Sequence, residues 1–547
     1  MRWDDERAAQ AYAEGWWISG TLADALTEAA ERTPQQVALV DGAQRLDCDG
    51  LHRRATTLAR GLHARLPPGS VVSFMLPNWH EAAVIYLAAT LAGMVANPIL
   101  PSLRDRELSF ILEDSDSRMI FVPSHFGRHD YSAMLRRVTS GLPSPPDVVV
   151  VRGEGGYTSL FAEPADDRPL PALDSDAVRM ILYTSGTTGH PKGVLHSHNS
   201  IHALICQIRD HWLVEQGDRF LVASPIAHIG GSIYAFECPL LLGTTAVLMD
   251  HWNADHAVAL MQAERCTHMA GATPFLEQLL GAAQRAGTRL PDLKLFVCGG
   301  ASVSPELIRR AAAYFESAVV TRVYGSTEVP VTTIGAPQHR DHAADTDGHI
   351  GLADVKLVAG EIYARGPQML VGYQHGDEAE SFDANGYFRT GDLARWVDDE
   401  FLLVTGRAKD IIVRNGENIS PKEVEDILAG HPGIAEIAIV GLPDDRTGER
   451  ACAVVVPAAP SRERAQNASP SGVSVYRHAR SPGPGPGLDV AGLRAFLEES
   501  GVARFKAPEQ VVIWDELPKN DAGKVLKHQI KAELLTADAS DDAERKR

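Results

Sequence analysis

The sequence predicts an α/β protein with a large N-terminal unit of parallel sheets covered by helices and a smaller α+β unit at the C-terminus. Three observations predict it. The chain has 547 residues, more than one hydrophobic core holds and enough for two or three domains. Strand-like apolar runs alternate with helix-period stripes through roughly the first four hundred residues, the pattern of parallel sheets with helical crossovers. After Thr405 the character changes: GRAKDIIVRNGENISPKEVEDIL is charged and turn-rich. Residues 1–405 are therefore expected to form the large unit and 406–547 the small one.

Leu22, Leu26 and Ala29 mark a helical stripe, Val37 to Val40 a strand, and Leu51, Ala55, Leu58 and Leu62 a second helix at spacings of four, three and four. Val71 to Leu76 reads as a strand stopped by Pro77-Asn78. The twenty uncharged residues from Ala82 to Pro101 have the length of a membrane span. Gly93, Asn97 and Pro98 break that run, so a buried helix ending near Gly93 and a short buried strand are expected instead. Ile226 to Met249 is similar, interrupted by Glu237 and by glycines 230, 231 and 243. Further on come a strand at Leu295 to Cys298, a helix from Pro305 with Ser304 as its N-cap, and a strand at Ala318 to Val323. The small unit holds strands at Ile434 to Val440 and Ala451 to Val456. Between Pro457 and Gly487 the chain is rich in Pro, Ser, Gly and Arg, the composition of a disordered insertion. The tail ADASDDAERKR reads as solvated.

The formal charge of −19 disfavours a nucleic-acid partner, which needs a broad basic face. A single nucleotide needs only a few local cations and amides. The N-terminus MRWDDERAAQ has no apolar h-region, so no signal peptide is read, and no transmembrane segment is expected. The six cysteines (48, 206, 238, 266, 298 and 452) lack any CxxC pairing and fit reduced, buried side chains of a cytoplasmic protein.

The segment with most chemistry is YTSGTTGHPKG, from Tyr183 to Gly193, leaving the apolar run Val178 to Leu182. Thr184, Ser185, Thr187 and Thr188 offer hydroxyls, Gly186, Gly189 and Gly193 allow close backbone approach to a polyanion, and Lys192 adds a cation. A Walker A loop is excluded by register, because five residues after Gly186 stands Pro191 and Lys192 is followed by glycine. By spacing alone, such a loop fits an ordinary turn as well as a phosphate site.

The literal string TSGTTGxPKG resembles the signature of the adenylate-forming superfamily, in its acyl-CoA and aryl-CoA ligase branch. YGSTE at Tyr324 to Glu328, TGD at Thr390 to Asp392, GRAKD at Gly406 to Asp410 and PKNDAGK at Pro518 to Lys524 follow in the family's order. The resemblance implies an acyl-CoA synthetase-like fold with several sheets in the large unit and a mobile small unit. It also implies ATP-dependent activation of a carboxylic acid to acyl-AMP, pyrophosphate release, and transfer to the thiol of CoA. By the same resemblance, Thr184, Ser185, Gly186, Thr187, Thr188, Gly189 and Lys192 hold the β- and γ-phosphates. Glu328 and Thr184 hold magnesium, while Tyr324, Gly325, Ser326, Thr327, Gly300 and Ala301 border the adenylate. Asp392 and Arg407 take the ribose hydroxyls, Lys524 contacts the carboxylate and α-phosphate, and Lys409 is the hinge. Arg414, Asn415 and Gly416 face the CoA thiol.

His228 in SPIAHIGG matches the family segment that walls the acid site. Relatives that activate amino acids carry Phe-Asp where this chain has Ala227-His228, and relatives that activate hydroxybenzoates carry Asn where it has Ile229. Ile229, Gly230, Gly231, Ser232, Ala272, Ala301 and Val329 are the expected acyl lining, small and apolar, suggesting a fatty, alicyclic or unsubstituted aryl acid. A purely structural His228 is the alternative. Other readings are an acyl-AMP ligase loading a carrier-protein phosphopantetheine and an inactive acyl-adenylate-binding protein; association as a homodimer is compatible with any of them.

Overall fold

The computed structural model of the chain describes residues 5–153, 156–162, 169–184, 191–300, 303–375, 381–414, 417–444, 446–458, 487–520 and 523–545. The predicted insertion therefore lies outside the described residues except at its ends.

Two seven-stranded sheets dominate. In the first, strands Val319–Arg322, Leu295–Cys298, His268–Gly271, Arg219–Val222, Thr245–Leu248 and Val37–Asp41 run parallel, with Gln44–Asp47 antiparallel at the edge. In the second, Val178–Thr184, Val95–Pro98, Val71–Phe74, Ser117–Pro123 and Asp147–Val151 are parallel. Lys192–Ser197 and Gly372–Tyr373 complete it antiparallel. Helix His80–Leu91 is buried at every position, and one apolar cluster takes residues from it and from both sheets. That is why the run from Ala82 reads like a membrane span: the helix has no wet face. Among the described residues no helix is long and apolar enough to cross a membrane.

The expected alternation of strands and helices holds only to Arg322. Strands Asp354–Val358, Glu361–Arg365, Phe388–Val397 and Phe401–Arg407 form a purely antiparallel four-stranded sheet, with no helix between them among the described residues. A fourth sheet is built from Glu417–Ile419, Ile412–Arg414, Gly448–Pro457 and Ile434–Asp444, with Gln510–Ile513 parallel to Gly448–Pro457. Helices Pro421–Leu428 and Val490–Glu499 share one core with this sheet. The terminal helix Lys527–Arg545 runs on through most of the tail.

Local chemistry sets the element ends. Helix Leu22–Arg32 starts in a capping box: the Thr21 hydroxyl accepts from the Asp24 amide, and the Asp24 carboxylate accepts from the Thr21 amide. Ser304 does precede helix Pro305–Tyr314, but its side chain makes no capping bond. The interruption at Glu237 is a buried ion pair. Glu237 and Arg179 are 1% and 3% exposed and stand 3.0 Å apart, and Tyr86 bonds both. Helix Ile229–Ser232 continues through the π-turn Ile233–Glu237 into Cys238–Leu241. All six cysteines are buried and none is in a disulfide.

Candidate active site

The phosphate string sits on an antiparallel hairpin. Thr184 ends one strand, Lys192 begins the next, and the two are register partners. Ser185, Gly186, Thr187, Thr188 and Gly189 lie outside the described residues. Lys192 Nζ stands 5.3 Å from the ring centroid of Tyr373 on the adjoining strand, and the Tyr373 hydroxyl donates to Glu328 Oε1 at 3.1 Å. The predicted cation and the predicted metal ligand thus share one aromatic neighbour.

The Tyr324 to Glu328 segment is fixed from beneath. His196 Nε2 donates to the Thr327 carbonyl at 2.8 Å, and its Nδ1 meets Ser200 Oγ at 3.1 Å. Burial pushes His196 down to about 4, so the ring is neutral at pH 7. Gly325 is required by space, since a methyl group there would lie 2.5 Å from the Val331 nitrogen. Ser326 Oγ accepts from the Val329 amide at 3.2 Å. Val329, expected in the acyl lining, is instead fully buried in the core with Val194, Ile362, Ala364 and Leu370.

Three separated motifs meet at Asp392. The Tyr324 hydroxyl donates to Asp392 Oδ2 at 2.8 Å, and Arg407 Nε pairs with Oδ1 at 2.8 Å. Asp392 and Arg407 are register partners across the antiparallel pair, so strand pairing itself sets their separation. Burial and the Asp392 carboxylate raise the Tyr324 hydroxyl well above its ordinary range, keeping it a donor.

Lys524 joins this group from the far end of the chain. A tight turn holds it: its amide donates to Asn520 Oδ1 at 2.8 Å, and the Gly523 amide donates to the Asn520 carbonyl at 2.8 Å. The turn lies against the large unit, where a methyl group on Gly523 would stand 3.1 Å from the Pro274 ring. Burial and then the positive charge of Arg407 bring the Lys524 ammonium down to about 8, with Lys409 adding to the effect and Asp392 opposing it. Cations gathered this closely make a site for an anion.

The acid-site segment is pinned by Asn78, whose side-chain amide donates to the carbonyls of Val222 and Ser224 and whose Oδ1 accepts from the Ile226 amide at 3.0 Å. His228 is the N-cap of helix Ile229–Ser232 without a side-chain capping bond. Gly230 faces open space, and Ala272 precedes helix Thr273–Ala286 as its N-cap. Two members of the expected lining do other work. Gly231 packs on backbone, where a methyl group would lie 2.2 Å from the Pro225 carbonyl oxygen, and the Ser232 hydroxyl donates to the Ile229 carbonyl. Gly300 adopts φ +79° with open space beside it, while Ala301 lies outside the described residues.

Lys409 is exposed in the short turn Ala408–Asp410, after the strand that carries Arg407. Arg414 is committed within its own unit, donating to the Phe505 carbonyl at 2.9 Å and pairing with Glu509 at 2.7 Å. Its guanidinium is therefore not the open thiol-site group expected; Asn415 and Gly416 lie outside the described residues. Asn78, His196 and Tyr373 are the positioning residues that sequence reasoning missed, since none carries a local motif.

A model of the AMP-binding enzyme family matches residues 26–374, and one of the AMP-binding enzyme C-terminal domain matches 423–524. The chain is 32% identical to the medium-chain fatty-acid–CoA ligase of Escherichia coli (strain K12), over 100% of this chain and 96% of that protein. It is 30% identical to a salicylyl-CoA synthase / salicylate adenylyltransferase of Streptomyces sp, over 97% and 96%. Among solved structures, the o-succinylbenzoate CoA synthetase of Bacillus subtilis in complex with its acyl-adenylate intermediate superposes with a TM-score of 0.76 at 26% identity, covering 93% of this chain and 97% of that one. The chain belongs to the AMP-binding, adenylate-forming enzymes. Within them it is an AMP-forming acid–thiol ligase of the acyl- and aryl-CoA ligase branch.

Proposed function

We propose that this ligase activates an apolar carboxylic acid, fatty, alicyclic or unsubstituted aryl, and passes the acyl group to CoA. The observation that carries the reaction is that Lys524 lies near enough to the Asp392–Arg407 pair for their charges to act on its ammonium, which supports a shared role for the three at the nucleotide. The acid oxygen attacks the α-phosphorus of ATP and pyrophosphate leaves; the thiol sulfur then attacks the acyl carbon and AMP leaves. Both steps gain chiefly from positioning and charge neutralisation. Lys524 neutralises charge on the attacking and bridging oxygens, a gain largest in the transition state. Asp392 accepts from ribose hydroxyls and Arg407 donates to them. Glu328 is half-buried, and among the described residues no ion pair reaches it, which suits a carboxylate kept for a hard cation. With Thr184 it would hold the magnesium ion that screens the phosphate oxygens.

The preference for an apolar acid rests on the open space at Gly230, on Ala272, and on Ile229 at the position where hydroxybenzoate-activating relatives carry Asn. Transfer to a carrier-protein phosphopantetheine is the second reading, favoured by the internal commitment of Arg414. Buried cysteines outside any disulfide support a cytoplasmic enzyme. The division into 1–405 and 406–547, with rotation about Lys409 between half-reactions, is part of the same proposal. The test is pyrophosphate release over a panel of carboxylic acids with and without CoA. Release confined to apolar acids and acyl-CoA formation are expected. Acid-independent release sinks the enzyme reading, and acyl-AMP that accumulates despite CoA favours the carrier-protein reading.

A further inference from the structure

At the turn joining the strands Phe388–Val397 and Phe401–Arg407, imidazoles gather opposite a hairpin rich in carboxylates. His339, His349 and Glu400 place one ligand atom each within 4.8 Å of one another. Their frame is set by backbone. The His349 amide donates to the Gly335 carbonyl at 3.1 Å, and its own carbonyl accepts from the Ile334 amide at 2.9 Å. His349 is also bridged to Phe401, the residue after Glu400. Gly335 and Gly348 nest so closely that a methyl group on Gly348 would stand 2.2 Å from the Gly335 Cα, and this holds the two histidine-bearing stretches side by side. Glu400 closes the hairpin turn, its amide donating to Val397, after Asp398 and Asp399 at φ +52° and +56°.

The rings are oriented as well as gathered. His339 and His349 stand edge to face with centroids 5.1 Å apart, and both pack on the buried Phe401 ring at 5.6 and 5.4 Å.

The contrast with the other close set of such residues is informative. Asp41, His80 and Glu81 also converge, but Arg152 fills their centre with bonds of 2.6 to 2.8 Å to both carboxylates. Among the described residues no arginine or lysine pairs with Glu400. Two imidazoles and one carboxylate are the donor set of a borderline divalent ion, with solvent taking the remaining position. We propose that His339, His349 and Glu400 bind a transition-metal ion of the zinc class, which staples the 335–349 stretch to the hairpin whose strands carry Asp392 and Arg407. The exposed His339 and Glu400 side chains close the last ångström by rotamer adjustment.

The test is titration of chelator-treated full-length protein with zinc in excess magnesium, by calorimetry and by thermal unfolding, repeated with cobalt for its ligand-field spectrum. Wild type is expected to take up one ion and to melt higher with it. His339→Asn and Glu400→Gln should each weaken uptake by about tenfold or more and abolish the shift in Tm. Both positions are exposed, so metal-free variants should melt as wild type does, which separates lost ligation from lost folding. Failure of wild type to bind, or equal binding by wild type and both variants, overturns the proposal.

Discussion

Lys524 is the residue whose chemistry is most exposed to measurement. Its ammonium titrates at about 8 in the free protein, lowered by burial and by Arg407. The protonated form is the one that neutralises the reacting oxygens, so activity is present below that value and lost as pH rises through it. We predict that kcat/KM for acyl-AMP formation falls across about pH 8, where an ordinary lysine would hold its charge, and that Lys524→Ala abolishes adenylation while sparing thioester formation from supplied acyl-AMP. A flat profile to well above pH 8, or equal loss of both half-reactions, contradicts the assignment. Lys524, Asp392, Arg407 and Glu328 were nominated from the sequence because each stands in a literal string. Asn78, His196 and Tyr373 were not, because what defines them is a partner distant along the chain, 131 residues away for His196 and Thr327. Val329 was misplaced for the reverse reason: adjacency to Glu328 says nothing about which way a side chain points, and this one points into the core.

Between elements, the buried pair Arg179–Glu237 ties two parts of the candidate site together. It joins the strand that leads into the phosphate hairpin to the helix that begins at the acid site. Removing one partner leaves a charge with no water to solvate it, so Glu237→Gln should cost about 3–5 kcal/mol in denaturant unfolding. A loss within the scatter of surface substitutions would show that the pair is dispensable. Sequence displays Glu237 only as a break in an apolar run, since its partner Arg179 lies in a strand far away along the chain. The same blindness produced the mistaken alternation after Arg322. The signals for hairpins were present at Ala359-Gly360 and Asp398-Asp399, all four with positive φ, but short turns carry less weight along a sequence than apolar periods do.

Across the whole molecule, the proline- and arginine-rich insertion is the feature that composition marked most plainly, and the described chain shows where its ends sit. The Ala458 amide donates to the Gly433 carbonyl at 2.8 Å, and Gly487 lies beside His431, so the segment leaves and returns over the same short turn. A closed excursion of this kind adds only slowly growing loop entropy. Replacing residues 459–486 by a short Gly-Ser linker should therefore leave Tm and acyl-AMP formation within error of wild type; a large drop in Tm would show that the segment packs on the fold.

The buried cysteines have a practical meaning for following such a molecule in motion. Burial pushes the Cys266 and Cys298 thiols up to about 12, far from the reactive thiolate, and the other four are equally shielded from solvent. A cysteine introduced at exposed Leu535 in the terminal helix or at exposed Val358 in the antiparallel sheet would outcompete all six for a maleimide dye. The native chain thus offers a nearly silent background for a pair of fluorescent reporters, one on each unit, without any of its own cysteines being replaced.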